Sequence, residues 1–544
     1  MSAPTTSLAF NEQQEVIIGA AEPGGPQIII GNALAGTGKS TTLKGMAGGP
    51  LRHERVGYFV FNKRNADEAA REFPSNVTTK TAHSFAFGAR HPDDRRHTMM
   101  QVYAKHLVQG SLYGPLREKA DDDPRFFRHV MAVADKLRLQ RGQALMAIQG
   151  TLRHYCQSVS ARVAERHVPA ELKAHLERER IPLSACSALV EATAYVFDRM
   201  RDPTGGWPVD HGLYLKLYSL DPGRIAVDTI MFDEGQDANP PMLQILKAQI
   251  QHGTRLVLVG DTYQHIYDFT GAVDAMSEMR KAHKAISNIY PLTISYRFGQ
   301  GIADSGNRFL RLLSSPYFLE GRGPDGEVND DPVTDEGGLW TTLYRTNMAL
   351  LTDAVEHIAA GRRVHVVGGV AEAVRLMEGM GRMYMGDHAR HPELAFFADW
   401  KELEDYAETE EGGTVRPMVR LVVREKGNIG PLVAALERTE DRPDRADQTL
   451  CTAHKSKGGQ WDHVRLSQDF HRAWEPDVDK NGREIFVMPD ESELSLQYVA
   501  ATRAQKVLHT NGLFSVMNYA LSKMTLPETQ EPETRASALA ASAR

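Results

Sequence analysis

The sequence predicts an α/β chain of two parallel-sheet domains, the first with a long helical insertion and the second with a small one. Three observations carry this. The apolar runs QIIIGNALAG, DTIMFDEGQD and TRLVLVGDTYQ each end in small, charged or amide residues, the pattern of parallel strands that deliver chemistry at their C-terminal ends. Between the first two lies a stretch from Gly88 to Leu220 dominated by helical spacing, as in FFRHVMAVADKLRLQ and PAELKAHLERERIP. A second set of strand signals opens near Leu339 in GLWTTLYRTN and RRVHVVGG, and resumes in QTLCTAHKSKGG, WDHVRLSQDF and KVLHTNGLF.

A chain of 544 residues is too long for one ordinary core, and 42% hydrophobic with 24% charged residues is a globular balance. The opening MSAPTTSLAF lacks a basic region followed by an apolar one, and no apolar run approaches bilayer length. A cytoplasmic chain without a membrane anchor is therefore expected. Cys156, Cys186 and Cys451 lie far apart, form no metal-ligand pair and read as reduced thiols. The net charge of −7 gives no global sign of nucleic-acid binding, yet a local basic path with stacking aromatics is compatible with an acidic exterior. The acidic stretch PELAFFADWKELEDYAETEEGG reads as a solvated helical face.

In chain order, the first chemical signal is NALAGTGKSTT. After the apolar strand QIII it places Ala33, Ala35, Gly36, Thr37, Gly38, Lys39, Ser40 and Thr41 at a strand-to-helix turn, with alanine where a P-loop usually has its first glycine. Small residues let backbone N–H groups approach a triphosphate, the helix N-terminus favours its charge, and Lys39 reaches the β/γ oxygens. Ser40 can hold Mg²⁺. At the end of the next apolar run, Asp233 can hold the same cation through water, and Glu234 can accept a proton from attacking water. After the third run, Gln264 stands where an amide can report the γ-phosphate. Arg297 in LTISYRFG and Arg503 in QYVAATRAQ carry no role from spacing alone, although arginines do neutralise charge on a transferring phosphoryl group.

The motifs DEGQD, GDTYQHIYDFTGA, YRTN, TAHKSKG and YVAATRA, in this order and spacing, resemble the UvrD/Rep-type superfamily 1 helicases from Phe10 to about Phe514. Within that superfamily VFNK, HGLYLKL, IYDFTGAVDAM and YRFGQGIA are most similar to the F-box DNA helicase group. FNEQQ resembles the adenine-reading Q motif and starts almost at Met1, so no F-box is expected ahead of it.

The resemblance implies two RecA-like P-loop motor domains with ATP and Mg²⁺ between them. The first motor would occupy 1–87 and 221–285 around a helical insertion at 88–220. The second would occupy 286–369 and 448–525 around a small insertion at 370–447, followed by a disordered tail at 526–544. It also implies that Gln14 reads adenine opposite a stacking Tyr296, and that Arg297 and Arg503 face the γ-phosphate. Single-stranded DNA would meet Asn62, Thr81, His83, Tyr267, Phe269, Arg345, Asn347, Thr452 and His454, with the aromatics stacking on bases. Two departures stand out: Thr270 replaces an arginine, and KGGQW replaces KGLEF, so that Gly459 and Gln460 stand for leucine and an acid. Slower or more DNA-dependent turnover is expected from them.

The function implied is a 3′ to 5′ DNA helicase or translocase acting on single strands and junctions in repair, recombination or replication. An alternative is a translocase that strips recombinase filaments, or works with a separate nuclease or repair protein, without much unwinding. A third reading is an ATP-gated DNA-binding switch.

Overall fold

The computed structural model describes residues 9–60, 63–266, 273–332, 339–387, 399–408, 415–478 and 482–524, with 391, 394 and 397. Asn62, Tyr267, Phe269, Thr270 and the tail from Leu526 lie outside the described residues.

The first sheet contains β1 (Ile28–Ala33), β2 (Val56–Val60), β3 (Val77–Thr81), β4 (Thr229–Asp233), β5 (Arg255–Gly260) and β6 (Ser287–Leu292). They pair in parallel in the order β3-β2-β4-β5-β1-β6. Side-chain alternation gives each face its own core. Ile28, Ile30, Leu256 and Leu258 pack toward the helical segment, whereas Ile29, Val257 and Val259 pack with Leu43 and Met46 of the helix Lys39–Gly48. Each fully buried side chain of this size stabilises the fold by about 1.5–3 kcal/mol. Parallel strands buried on both faces produce the near-continuous apolar runs seen in the sequence.

The expected boundary between 285 and 286 falls one strand short. β6 is in register with β1, from Ile28 opposite Ser287 to Ala33 opposite Leu292, so the first sheet runs on to Leu292. Its sequence SNIYPL leaves Asn288 and Ile289 exposed and contains Pro291, the mixed pattern that an edge strand tolerates.

The segment between β3 and β4 is helical, as its spacing predicts, and includes Pro124–Lys136, Arg141–Cys156, Ala170–Arg178, Ser187–Arg201 and His211–Leu220. Asp123 starts the first of these by accepting from the Arg125 and Phe126 N–H groups, with proline at the first helical position.

The second sheet is also parallel and six-stranded, in the order 364–366, 448–452, 340–344, 461–466, 504–509 and 327–329. Among the described residues, four α-helices, Ala371–Tyr384, Trp400–Ala407, Arg416–Arg424 and Gly430–Leu436, lie between its strands 364–366 and 448–452. The acidic stretch lies partly on Trp400–Ala407, where Lys401 and Asp405 are solvated and Leu403 is buried. Glu402 departs from that reading. It accepts from Arg178 Nη2 at 3.0 Å and so joins the two insertions.

Candidate active site

Because β1, β4 and β5 run parallel, their C-terminal ends open on one side of the sheet, and three sequence signals far apart in the chain meet there. Gly36 and Gly38, at φ +75° and +80°, turn the chain from β1 into the helix Lys39–Gly48. A Cβ at Gly36 would stand 2.4 Å from Ser295 Oγ and 2.6 Å from Arg297 Cβ, and one at Gly38 would stand 2.8 Å from Gln14 Nε2. The glycines thus serve both the left-handed turn and the close approach of neighbours. Thr37 Oγ1 ties the loop by donating to the Leu34 carbonyl at 2.8 Å.

The loop faces a cleft of about 610 Å³ lined by residues from both sheets, among them Lys39, Ser40, Thr41, Asp233, Glu234, Gln264, Tyr296, Arg297 and Arg503. Ala33 and Ala35 are buried beneath the loop and carry its backbone. Gln14 is buried and accepts from the Asn11 N–H at 3.1 Å, while its own N–H donates to Asn11 Oδ1 at 2.9 Å. This capping box fixes its amide against the P-loop. Tyr296, 47% exposed at the mouth, accepts from Asn11 Nδ2 at 3.1 Å, so the two residues expected around a base share one neighbour.

Lys39 Nζ lies 3.4 Å from Glu234. Burial disfavours its charge, but Glu234, Asp233 and Asp261 outweigh that and raise its pKa. Glu234 feels the opposite balance. Burial would raise its carboxyl, yet Lys39, Lys457 and the Gln236 amide hold it down at about 2. Gln236 Nε2 donates to Glu234 Oε2 at 2.6 Å. The Glu234 backbone sits at φ +54°, a left-handed conformation costly for a residue with a Cβ, and it is held by its N–H donating to Asp233 Oδ1 at 2.9 Å.

Asp233 Oδ2 accepts from the Tyr58 hydroxyl at 2.6 Å. Burial and the Glu234 charge raise the Asp233 pKa, the state of a carboxylate whose countercharge is incomplete. Ser40 at the helix start lines the same cleft, and a hydroxyl with a carboxylate is the hard-oxygen pair that suits Mg²⁺.

From the second sheet's side, Arg503 is buried and donates through Nη2 to Gln264 Oε1 at 3.1 Å and through Nε to the Val499 carbonyl at 2.9 Å. Gln264 Nε2 in turn donates to Asp261 Oδ2 at 2.7 Å. Arg297 donates to Gln460 Oε1 at 3.0 Å and to the Thr502 carbonyl at 2.8 Å. Burial, together with the nearby Arg503 charge, lowers the Arg297 pKa to about 9. Two crowded cations aimed into one cleft are a ready receptor for a polyanion. The departures at 459 and 460 are accommodated here. Gln460 binds Arg297, and Trp461 packs so close to Gly459 that a Cβ there would stand 2.6 Å from its ring.

Sequence reasoning missed Gln236 and Asp261, described above, and further contributors. The Tyr498 hydroxyl donates to Asp261 at 3.0 Å and accepts from the Ala35 N–H at 3.1 Å. Tyr58 supports Asp233. Lys457 reaches across the cleft to Asp237 at 2.7 Å and to the Gln264 carbonyl at 2.6 Å. Tyr498, Asp237 and Lys457 all stand inside quoted motifs, and only their pairing was hidden.

The expected DNA contacts gather at strand ends. Thr81 ends β3 and caps the helix Ala82–Gly88, accepting from the Ser84 N–H at 3.0 Å. Thr452 caps Ala453–Ser456 in the same way, accepting from the Lys455 N–H at 3.3 Å. His83 and His454 follow these caps at equivalent positions. Burial lowers both imidazoles, His83 to about 4, so His83 presents a neutral ring at pH 7. Arg345 pairs with Glu493 at 2.8 Å, and Asn347 is exposed at the start of Asn347–Ala359.

A family model described as an AAA domain matches residues 13–270. F-box DNA helicase 1 of Gallus gallus is 30% identical over 541 residues, covering 92% of this chain and 48% of that protein. F-box DNA helicase protein 1 of Schizosaccharomyces pombe is 26% identical over 543 residues, covering 95% of this chain and 59% of that protein. The chain therefore spans about half the length of these relatives. Among the described residues, no helix is long and apolar enough to cross a membrane.

Proposed function

We propose that this chain, a homologue of the F-box DNA helicases that carries an AAA domain, is an ATP-driven motor that moves 3′ to 5′ along single-stranded DNA and separates duplex. One observation supports this reading above the rest: Arg503, on the second sheet's side, hydrogen-bonds Gln264 at the end of a first-sheet strand, inside the cleft that holds the P-loop. A simple phosphate-binding enzyme has no use for that arrangement. A motor does, because hydrolysis then requires the two domains to close.

On this reading Gln14 and Tyr296 hold the base, and the P-loop N–H groups with Lys39 hold the phosphates. Ser40 and Asp233 hold Mg²⁺, which when bound neutralises charge on the phosphate oxygens. Glu234, kept ionised by Lys39 and Lys457, accepts the proton of the attacking water. Arg297 and Arg503 neutralise charge developing on the transferring group, and loss of phosphate releases them and lets the cleft open. The capped turns at Thr81 and Thr452, one on each motor, would alternate in gripping the strand. Gripping backbone and stacked bases serves any sequence, as a travelling motor requires.

Unwinding of partial duplexes with a 3′ or a 5′ overhang, using wild type and Lys39→Ala, tests this. ATP-dependent opening of the 3′-tailed substrate alone, lost in the variant, is expected. DNA-stimulated ATPase with neither substrate opened would instead favour a translocase that clears bound proteins.

A further inference from the structure

A buried ion pair spans the two motors outside the groups assigned to nucleotide. Lys457 Nζ stands 2.7 Å from Asp237 Oδ1 and 2.6 Å from Oδ2, and it donates to the Gln264 main-chain oxygen at 2.6 Å. The two side chains are 8% and 4% exposed. Charges taken out of water so completely are tolerated only while they face each other, and removing one leaves the other strongly destabilised. The pair is therefore a two-position element, formed or broken, at the seam where the motors must move.

Its two ends lie on different functional surfaces. Lys457 directly follows the short helix Ala453–Ser456, whose cap is Thr452 and which carries His454, the turn expected to meet DNA. Asp237 ends the turn Gly235–Asp237 that begins at Glu234, and its N–H donates to the Glu234 carbonyl at 2.9 Å. Within that turn, Gln236 binds the Glu234 carboxylate and accepts from the Asp261 N–H at 3.1 Å. The Gln264 carbonyl held by Lys457 belongs to the residue whose amide bridges Asp261 and Arg503. One ammonium thus touches both the turn that positions the carboxylate and the loop that positions the arginine.

We infer that the Lys457–Asp237 pair transmits occupancy of the DNA-facing turn at Thr452–Ser456 to the hydrolytic groups, so that single-stranded DNA sets Glu234, Gln264 and Arg503 in register. Lys457 and Asp237 are positioning residues in this scheme, since neither is assigned a contact with nucleotide. The inference rests on reading the chain as a DNA-dependent ATPase.

The test is steady-state ATPase of the full chain with and without oligo-dT, for wild type, Asp237→Asn, Lys457→Met, the double variant and the charge-keeping Lys457→Arg. Oligo-dT affinity by anisotropy and the melting temperature are followed in parallel. Each single neutral variant is expected to reduce the ratio of kcat with DNA to kcat without it about tenfold, while KM for ATP stays within about twofold. The double variant should do no further harm, the non-additivity of two groups acting as one. Lys457→Arg should recover part of the ratio, which a fault of folding in the neutral variants would not mimic. A full ratio in either neutral variant, or additive losses in the double, would overturn the coupling while leaving the ATPase reading intact. A wild type with no stimulation at all would overturn both.

Discussion

Arg503 Nη2 meets Gln264 Oε1 at 3.1 Å, and the same Gln264 side chain holds Asp261 at 2.7 Å. An arginine from one sheet and an amide from the other are thus joined before any phosphate intervenes. A γ-phosphate entering the cleft would compete with Gln264 for the Arg503 donor, so nucleotide is expected to replace this contact. Arg503→Lys keeps a charge but loses the fork that serves Val499 and Gln264 together. Its kcat is expected to fall by about 10³, the scale for a lost arginine at a transferring phosphoryl group, with ATP affinity little changed. Single-turnover hydrolysis beside nucleotide binding measures the two separately, and equal losses in both would remove Arg503 from the chemical step.

Glu234→Gln preserves the shape of the side chain while removing its basicity. The Lys39 contact at 3.4 Å weakens, and Lys39 is freed toward phosphate. Hydrolysis should fall by about 10²–10⁴ with ATP and DNA binding retained, the magnitude of a lost general base. Retained turnover in that variant would move the base elsewhere.

Gly36→Ala tests the crowding at the loop. The new methyl would lie 2.4 Å from Ser295 Oγ and 2.6 Å from Arg297 Cβ, at a φ of +75°. Strain of about 1–2 kcal/mol from the backbone alone is expected, with more from the displaced neighbours. Because Arg297 is one of those neighbours, ATPase activity should fall further than nucleotide affinity. A melting curve with a nucleotide titration separates the two effects.

What was legible in the sequence was local. The P-loop, Asp233 with Glu234, and Gln264 each announce themselves within one strand and its following turn, because glycine placement and a terminal carboxylate are short-range signals. β6 was not legible. An edge strand needs no apolar run, and SNIYPL resembles a linker until its register with β1 is seen. The cross-cleft partners were hidden for another reason. Tyr498 and Asp261 are 237 positions apart, and Lys457 and Asp237 are 220, so no window of sequence holds both members. The family resemblance put the arginines in the cleft, but the roles of Gln460 and Trp461 appear only where Arg297 and Gly459 have settled.

Lys216 offers a test of the fold apart from the chemistry. It is fully buried in the helical insertion, donates to the Ser158 and Ser160 carbonyls at 2.6 Å each, and lies 4.4 Å from the Tyr155 ring centroid. Burial lowers its pKa from 10.5 to about 8. Lys216→Met leaves two carbonyls without their donor and should destabilise the chain by about 1–3 kcal/mol at pH 7. The pH dependence has a definite sign. Between pH 8 and 10.5 the unfolded lysine is protonated while the folded one is not, so the unfolded state binds more protons and stability rises with pH. Below pH 8 both states are charged, and the penalty of the buried ammonium is carried in full. The stability gap between wild type and Lys216→Met, measured by urea denaturation, should therefore widen from pH 8 toward 10.5. A gap that narrows over that range would mean the charged amine, held by its two carbonyls, is the form the fold prefers.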